Sequence, residues 1–578
     1  MRRKGDFAMR MINNLRAKPA KLISDLRDMV NSSAERFGDK VLYRYLENKS
    51  EKTYSYNDLK SNVYRLGTML LKLGLGGKHI AVIGDNHPMY TTAYLACVGC
   101  NSTIVPLDKE LLPEQIVGFM QFAEIEAVFY TVGFNSRMRA LLSDLPNIKY
   151  LFPISPDEGE VAENVISVDK LLSDGQAAMD AGDTAFADTV PDMERCCALL
   201  FTSGTTGTSK GVMLSQRNLT AAVNSSCQSM QYDDESTFVT VLPPHHTYQM
   251  TCGEFGVINI GGEAYLNDSI KRVMKNFATY KPNTLVLVPL FVETMHKRIW
   301  DEIRRQGVEK KVRSFMQISA AALIVGIDLR KKFFGRITDA FGGNLKSIVC
   351  GGAPINPEII KDFYHFGITV LEGYGITECA PLVAVNHPGK VRFRSVGTPV
   401  HGCEVRIDYD EGQETGEILV KGDNIMLGYY KNPEATAAVF TDDGFFRTGD
   451  IGYMDEDGYI FITGRKKNVI ILSNGKNVFP EELEEYLSKI PSISETVVIG
   501  RKKGIAENET AITAIVVPNM DCPALVGKKP NEVYSTVRAD VLAINKKLPS
   551  FKHVSDVEIR YEPFEKNSSQ KIKRYKIQ

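Results

Sequence analysis

No apolar run in this 578-residue chain approaches the roughly 18 consecutive residues that a membrane-spanning helix needs. An excess of one charge is missing too. The chain has 69 Lys and Arg against 70 Asp and Glu, a net charge of −1, which argues against nucleic acid or a strongly anionic membrane as the main partner and leaves at most peripheral membrane contact. The ten cysteines follow no framework spacing, so a disulfide-stapled secreted scaffold is excluded and a reducing, cytoplasmic setting is expected. Asp6 and Arg10 follow Arg2, Arg3 and Lys4 and interrupt the apolar core of any signal peptide. Internal repeats and low-complexity segments are absent. Cys97-Val98-Gly99-Cys100 lacks the second pair a zinc site wants, and its flanks Ala93, Leu95 and Ala96 predict a buried helix. Asp455-Glu456-Asp457-Gly458 lacks the other ligands of a calcium loop and predicts a hairpin turn before the alternating Tyr459-Ile460-Phe461-Ile462.

What is present is a soluble composition, 43% hydrophobic and 24% charged, on a chain too long for one ordinary domain. Leu59, Val63, Leu66, Leu70 and Leu71 keep helical spacing, and Ile80-Ala81-Val82-Ile83 follows as a short buried strand. A helix over Tyr90 to Val98 leads to the strand Thr103-Ile104-Val105-Pro106, and a further alternation ends at Ala127-Val128-Phe129-Tyr130. This is the pattern of an α/β domain with a largely parallel sheet. Leu285 to Val288 and Ser347 to Cys350 are further buried strands, each ahead of a turn. Ligands in such sheets collect beyond the carboxyl ends of the strands. From about Ala380 to Arg465 short β segments with Gly and Asp-Gly turns predict a small β-barrel. A compact α/β unit follows, with a strand over Val469 to Leu472 and a helix over Pro480 to Leu487.

The most informative stretch is Leu199-Leu200-Phe201-Thr202-Ser203-Gly204-Thr205-Thr206-Gly207-Thr208-Ser209-Lys210-Gly211, an apolar strand running into a loop of Gly, Ser, Thr and one Lys. Glycines let successive N–H groups form an anion-binding concavity, hydroxyls add donors, and Lys210 adds a compact positive charge. The loop suits nucleotide phosphates, yet no pair of glycines stands in the Walker A register. Downstream, in order, come Gly351-Gly352-Ala353-Pro354, Tyr374-Gly375-Ile376-Thr377-Glu378, Phe446-Arg447-Thr448-Gly449-Asp450, Gly458 to Lys467, Asn474 to Glu482, and Lys571.

This ordered set resembles the adenylate-forming enzymes: acyl-CoA synthetases, luciferases and peptide-synthetase adenylation domains. The resemblance covers about Leu26 to Arg574 and implies a large N-terminal domain, residues 1–465, of layered α/β subdomains plus a small β-barrel. A small mobile α/β domain, 466–578, follows. It further implies ATP, Mg²⁺ and CoA as cofactors. Thr202, Ser203, Gly204, Thr205, Thr206, Gly207 and Lys210 would cradle the β- and γ-phosphates, with Gly352, Ala353, Pro354 and Gly375 also at the nucleotide. Tyr374 would stack near the adenine, Thr377 would contact the α-phosphate, and Glu378 would bind the metal. Asp450 would take the ribose hydroxyls, assisted by Arg465. Lys571 would bridge carboxylate and α-phosphate, although Gln570 departs from the family's usual glycine. The C-terminal domain would pivot at Lys467 and bring Gly475 close to the pantetheine.

Leu242-Pro243-Pro244-His245-His246 matches the family's Leu-Pro-x-x-His segment and makes His246 an acyl-pocket residue. Phe291, Met295, Ile299 and Ile303 keep helical spacing. With Gly475 to Glu482, this helix looks like that of the long-chain fatty acyl-CoA synthetases, where an apolar tail needs an apolar tunnel. A fatty acid and CoA are the expected partners. A ligase that loads a separate acyl carrier protein and an inactive acyl or nucleotide sensor are the alternatives.

Overall fold

The computed structural model describes residues 20–577 apart from 135–137, 139, 142–143, 155–163, 203–209, 231, 410, 473–476, 504–508 and 567–571. Contacts divide the chain into two units: residues up to Glu404 with Lys421–Gly444, and Val405–Val420 with Phe445–Gln578. The short strands from Val405 onward thus group mainly with the C-terminal segment. Packing density and the point where a chain pivots are separate properties, and the first does not locate the second.

The first unit holds two sheets. A seven-stranded sheet runs in the order Gly428–Tyr429, Lys210–Ser215, Cys196–Thr202, Thr103–Leu107, His79–Ile83, Ala127–Tyr130, Tyr150–Pro153. Its central strands are parallel, and Cys196–Thr202, Lys210–Ser215 and Gly428–Tyr429 turn it antiparallel at one edge. Ile80 to Ile83 and Ala127 to Tyr130 are buried on both faces, which is why they read as continuous apolar runs rather than alternations. The helix Tyr56–Lys72 starts at a capping box in which Ser55 and Asp58 satisfy each other's amides. It buries Leu59, Val63, Leu66 and Leu70.

The helix Pro88–Gly99 is buried all round, and Cys100 Sγ donates to the Gly67 carbonyl at 3.4 Å. Burial pushes the Cys97 thiol well up, so the C-x-x-C pair is inert packing. No disulfide joins any of the ten cysteines, all of which are among the described residues, and among the described residues no helix is long and apolar enough to cross a membrane.

The second sheet has nine strands, with Thr284–Leu287, Ser347–Cys350 and Thr369–Gly375 adjacent and parallel at its centre. The helix Pro289–Arg305 lies against it. Its Met295, Ile299 and Ile303 join Phe277, Phe334 and Leu345 in one buried apolar cluster.

In the second unit, Cys403–Tyr409, Gly416–Gly422, Phe446–Met454 and Ile460–Arg465 form a four-stranded sheet in that order; its two end strands do not pair with each other among the described residues, so an open sheet stands where a small β-barrel is expected. The Asp455 turn is a hairpin: Asp455 Oδ1 accepts the Asp457 and Tyr459 amides at 3.0 and 2.9 Å, and Gly458 has φ +82°. The C-terminal segment adds the sheet Ile493–Lys503, Glu509–Pro518, Asp556–Ile559, packed on the helices Pro480–Leu487 and Pro530–Ala543.

Candidate active site

The phosphate-loop candidate is bracketed by a ladder pair. Thr202 stands opposite Lys210 where Cys196–Thr202 and Lys210–Ser215 meet, while Ser203, Gly204, Thr205, Thr206 and Gly207 lie outside the described residues. A third strand fixes what faces Lys210. The amides of Leu427 and Tyr430 donate to Met213 and Gly211 at 2.9 and 2.8 Å, pinning the two-residue strand Gly428–Tyr429 alongside. The Tyr429 ring then lies under Lys210, with Nζ 4.4 Å from the ring centroid. From its other end Tyr429 OH donates to Glu378 Oε1 at 3.0 Å. Burial and the Glu378 charge both push the phenol up, so the proton stays on the tyrosine and Glu378 remains the acceptor.

Glu378 sits in a 3₁₀ turn, Thr377–Cys379, whose backbone is tied to the same region. The Met426 amide donates to the Glu378 carbonyl at 2.8 Å, and buried Asn424 donates from Nδ2 to the Cys379 and Leu382 carbonyls at 3.2 and 2.7 Å. Lys210, Tyr429 and Glu378 therefore form one connected chain drawn from three parts of the sequence. Thr377 and Glu378 are half-buried, so their side chains are within reach of solvent and ligand.

The Gly-rich turn follows Cys350 at the carboxyl end of its strand. Gly352 takes φ +89°, and Gly352, Ala353 and Pro354 are exposed. On the next strand Tyr374 is 7% exposed. Gly375 has no room for a side chain, because a Cβ there would overlap the Pro381 carbonyl. The histidine segment meets this edge as well, with Tyr248 OH donating to the Val349 carbonyl at 3.2 Å. His246 is half-buried, its ring centroid 4.1 Å from that of His245. His245 Nε2 lies 3.6 Å from Asp108 Oδ2, and burial lowers the His245 pKa.

In the second unit the Asp450–Arg465 pair is in place. The two are ladder partners, and Arg465 Nε meets Asp450 Oδ1 at 2.7 Å while Asp450 is 3% exposed. Beside them buried Glu417 accepts from Lys466 Nζ at 2.8 Å and from the Gly449 amide at 3.2 Å. Lys467 makes no ion pair among the described residues. Partial burial and the nearby Arg465 and Arg574 guanidinium groups lower its pKa to about 8. Gly475 and Lys571 lie outside the described residues, although the flanking Lys566 and Ile572 form an antiparallel bridge.

The donor set also bears on the metal. Among the described residues no three His, Cys, Asp or Glu converge as an all-protein cage. A single half-buried carboxylate suits Mg²⁺, which keeps waters and takes its other ligands from substrate phosphates. Glu378 fits such an ion arriving with a nucleotide.

A model of the AMP-binding enzyme family matches residues 30–430. The chain belongs to the AMP-binding enzymes. A model of their C-terminal domain matches residues 467–578. This AMP-binding enzyme is 27% identical over 472 residues to the peroxisomal long chain acyl-CoA synthetase 7 of Arabidopsis thaliana, a match that spans 77% of this chain and 66% of that relative. It is 25% identical over 567 residues to the chloroplastic long-chain-fatty-acid–[acyl-carrier-protein] ligase AEE15 of the same plant, covering 86% of this chain and 76% of the relative. The ATP-bound crystal structure of MatB from Rhodopseudomonas palustris shares the fold, with a TM-score of 0.73 at 23% identity over 95% of this chain and 98% of that one.

Two residues of this adenylate-forming enzyme escape a reading of the sequence. Tyr429, in Gly428-Tyr429-Tyr430, looks like an ordinary aromatic at a turn. Glu417, within Gly416-Glu417-Ile418-Leu419-Val420, looks like the solvent face of a strand. Their partners are far off in sequence, and only the fold supplies them.

Proposed function

We propose that this AMP-binding enzyme activates a medium- or long-chain fatty acid with ATP and passes the acyl group to CoA. In the first half-reaction a carboxylate oxygen bonds to the α-phosphorus and the bond to the β-phosphate oxygen breaks, giving acyl-AMP and pyrophosphate. In the second the CoA sulfur bonds to the acyl carbon, AMP leaves with the bonding pair, and the thiol proton passes to solvent. The observation that carries the reading is the Lys210–Tyr429–Glu378 chain at the end of the loop hairpin. It holds a cation and a carboxylate at fixed spacing, as phosphoryl-type positioning requires. Bound Mg²⁺ would neutralise phosphate charge, and Glu378 is the residue that would hold it, kept in orientation by Tyr429.

The remaining roles rest on the family resemblance. Thr202 and Lys210, with Ser203, Gly204, Thr205, Thr206 and Gly207 between them, receive the β- and γ-phosphates, and Thr377 the α-phosphate. Gly352, Ala353, Pro354, Tyr374 and Gly375 line the adenine. Asp450, whose carboxylate Arg465 orients, accepts from the ribose hydroxyls. Lys571 stabilises charge that develops only in the transition state. His246 borders the acyl group. Lys467 is the pivot that lets Gly475 approach the pantetheine in the second half-reaction.

The test is product analysis across a panel of acids, with and without CoA. AMP, pyrophosphate and a fatty acyl-CoA are expected. ADP instead of AMP would end the adenylation reading. A second reading is favoured by the carrier-protein ligase among the relatives: adenylate that persists beside CoA but is consumed by an acyl carrier protein would select it. A protein that binds ATP yet releases no pyrophosphate with any acid would be a sensor.

A further inference from the structure

The helix Glu309–Ile324 ends, and Arg330–Asp339 begins, around a tip built against the usual rules for a turn. Turns between helices are polar because their backbone is solvated. Here Ile324, Val325 and Ile327 are 84%, 72% and 55% exposed, and Ile318 is 50% exposed. Ile318 lies in the second-last turn of the helix and Val325 is its C-cap. Consecutive exposed aliphatic residues at a solvated turn point to a partner that covers them.

The charges nearby are equally unusual. Lys331 and Lys332 are exposed in the first turn of their helix, where the macrodipole disfavours cations and no acidic residue stands. With exposed Arg336 they make no ion pair among the described residues, whereas Arg330 at the start of the same helix pairs with Asp328. A chain whose net charge is −1 thus gathers unpaired cations beside its most exposed aliphatic tip.

We propose that the Ile324–Ile327 tip is a docking surface for an anionic lipid bilayer, with the aliphatic side chains inserted at the headgroup–acyl boundary and Lys331, Lys332 and Arg336 against the lipid phosphates. Two features favour lipid over a protein partner. The tip has none of the aromatic anchors that dominate protein–protein hot spots, and a few aliphatic side chains fall well short of the roughly 1,000 Å² such an interface needs. The flanking charges are mostly lysines, compact point charges that suit a diffuse anionic surface better than a bidentate partner. The inference stands whichever acid the enzyme takes, and it goes beyond the proposed reaction by placing the enzyme where amphiphilic acids partition.

The experiment is co-sedimentation of the full-length protein with vesicles of phosphatidylcholine alone and of phosphatidylcholine with phosphatidylserine, at low and high salt. Binding to the mixed vesicles that weakens with salt is expected. The Ile324→Ser/Val325→Ser double variant should bind about tenfold or more weakly, as the loss of two inserted aliphatic chains implies. Lys331→Gln/Lys332→Gln should lose most of the preference for phosphatidylserine. Both should keep the wild-type melting temperature and adenylation of a soluble acid, because all four positions are exposed. No sedimentation of the wild type with mixed vesicles, or equal sedimentation of wild type and the Ser variant, would overturn the proposal. So would a dimer dissolved by the Ser substitutions, which would assign the tip to a second copy of the chain.

Discussion

Replacing Tyr429 with Phe removes one oxygen from the centre of the Lys210–Tyr429–Glu378 chain and leaves the ring where it is. The lost contact is a hydrogen bond to a carboxylate, worth about 1.5–3 kcal/mol when the acceptor is charged. Glu378 is half-buried, so water can replace the hydroxyl, and the melting temperature should fall by only a few degrees. What water cannot restore is orientation. A partner that fixes a metal-ligating carboxylate is typically worth about 10–100-fold in metal affinity, so the Mg²⁺ needed for half-maximal pyrophosphate release should rise by that factor. The KM for ATP, measured at saturating Mg²⁺, should stay within about twofold, because the cation–π contact with Lys210 survives. Tyr429→Leu removes the ring as well. Its additional loss of about 0.5–2 kcal/mol should appear in the KM for ATP, as a rise of roughly 2- to 30-fold. Calorimetric titration of Mg²⁺ into each variant with a non-hydrolysable ATP analogue gives the same comparison without turnover. If Phe and Leu variants behave alike, or if Phe lowers kcat with an unchanged Mg²⁺ requirement, the hydrogen bond does not position the carboxylate and the reasoning fails.

Lys571→Ala should slow adenylation about a hundredfold or more, as the loss of a transition-state charge partner does, yet convert supplied acyl-adenylate to thioester at near the wild-type rate; an equal fall in both steps would make Lys571 structural. Lys467→Pro fixes φ at 467 and restricts Lys466, so pyrophosphate exchange should survive while acyl-CoA synthesis falls; retention of both would move the pivot elsewhere. His87 caps the helix Pro88–Gly99 by accepting the Met89 amide on Nδ1 at 3.1 Å, and burial lowers its pKa from 6.5 to about 4. The folded protein holds it neutral, so from about pH 6.5 downward the unfolded chain takes up a proton that the folded one does not. Stability should then fall until about pH 4, by up to about 3 kcal/mol at 1.36 kcal/mol per unit. His87→Asn keeps a cap without the titration, and thermal melts across that range should show a shallower decline; an identical slope would refute the assignment.

How much the sequence reveals depends on how far apart the cooperating residues lie. The strands ending at Ile83, Tyr130 and Cys350 are legible because burial on both faces leaves an unbroken apolar run within a few residues. The Asp455 turn is legible for the same reason, since its donors and acceptor all lie between 455 and 459. Periodicity also gives the helix Pro289–Arg305 correctly, but it reports only that one face is apolar. That this face packs Met295, Ile299 and Ile303 with Phe277, Phe334 and Leu345 comes from residues the pattern cannot see. The contact from Tyr429 to Glu378 spans 51 positions and that from Lys466 to Glu417 spans 49, and neither leaves a local signature.

The run Arg465-Lys466-Lys467 shows what that loss costs. As a sequence it is three equivalent cations that suit any solvated face. In the fold each has a different position. Arg465 is held by Asp450 across the ladder, and Lys466 by buried Glu417 from another strand of the same sheet. Lys467, one residue later, has no ion-pair partner among the described residues, and burial, helped by the nearby Arg465 and Arg574 and opposed by Asp450 and Glu481, lowers its pKa to about 8. The ion pairs therefore hold the chain through Lys466 and stop there. A chain whose ion pairs end at Lys466 can change its dihedrals at 467 without breaking one of them. Rotation proposed at 467 would therefore leave those ion pairs intact, and proline there, which fixes φ, is expected to separate the two half-reactions rather than unfold the protein.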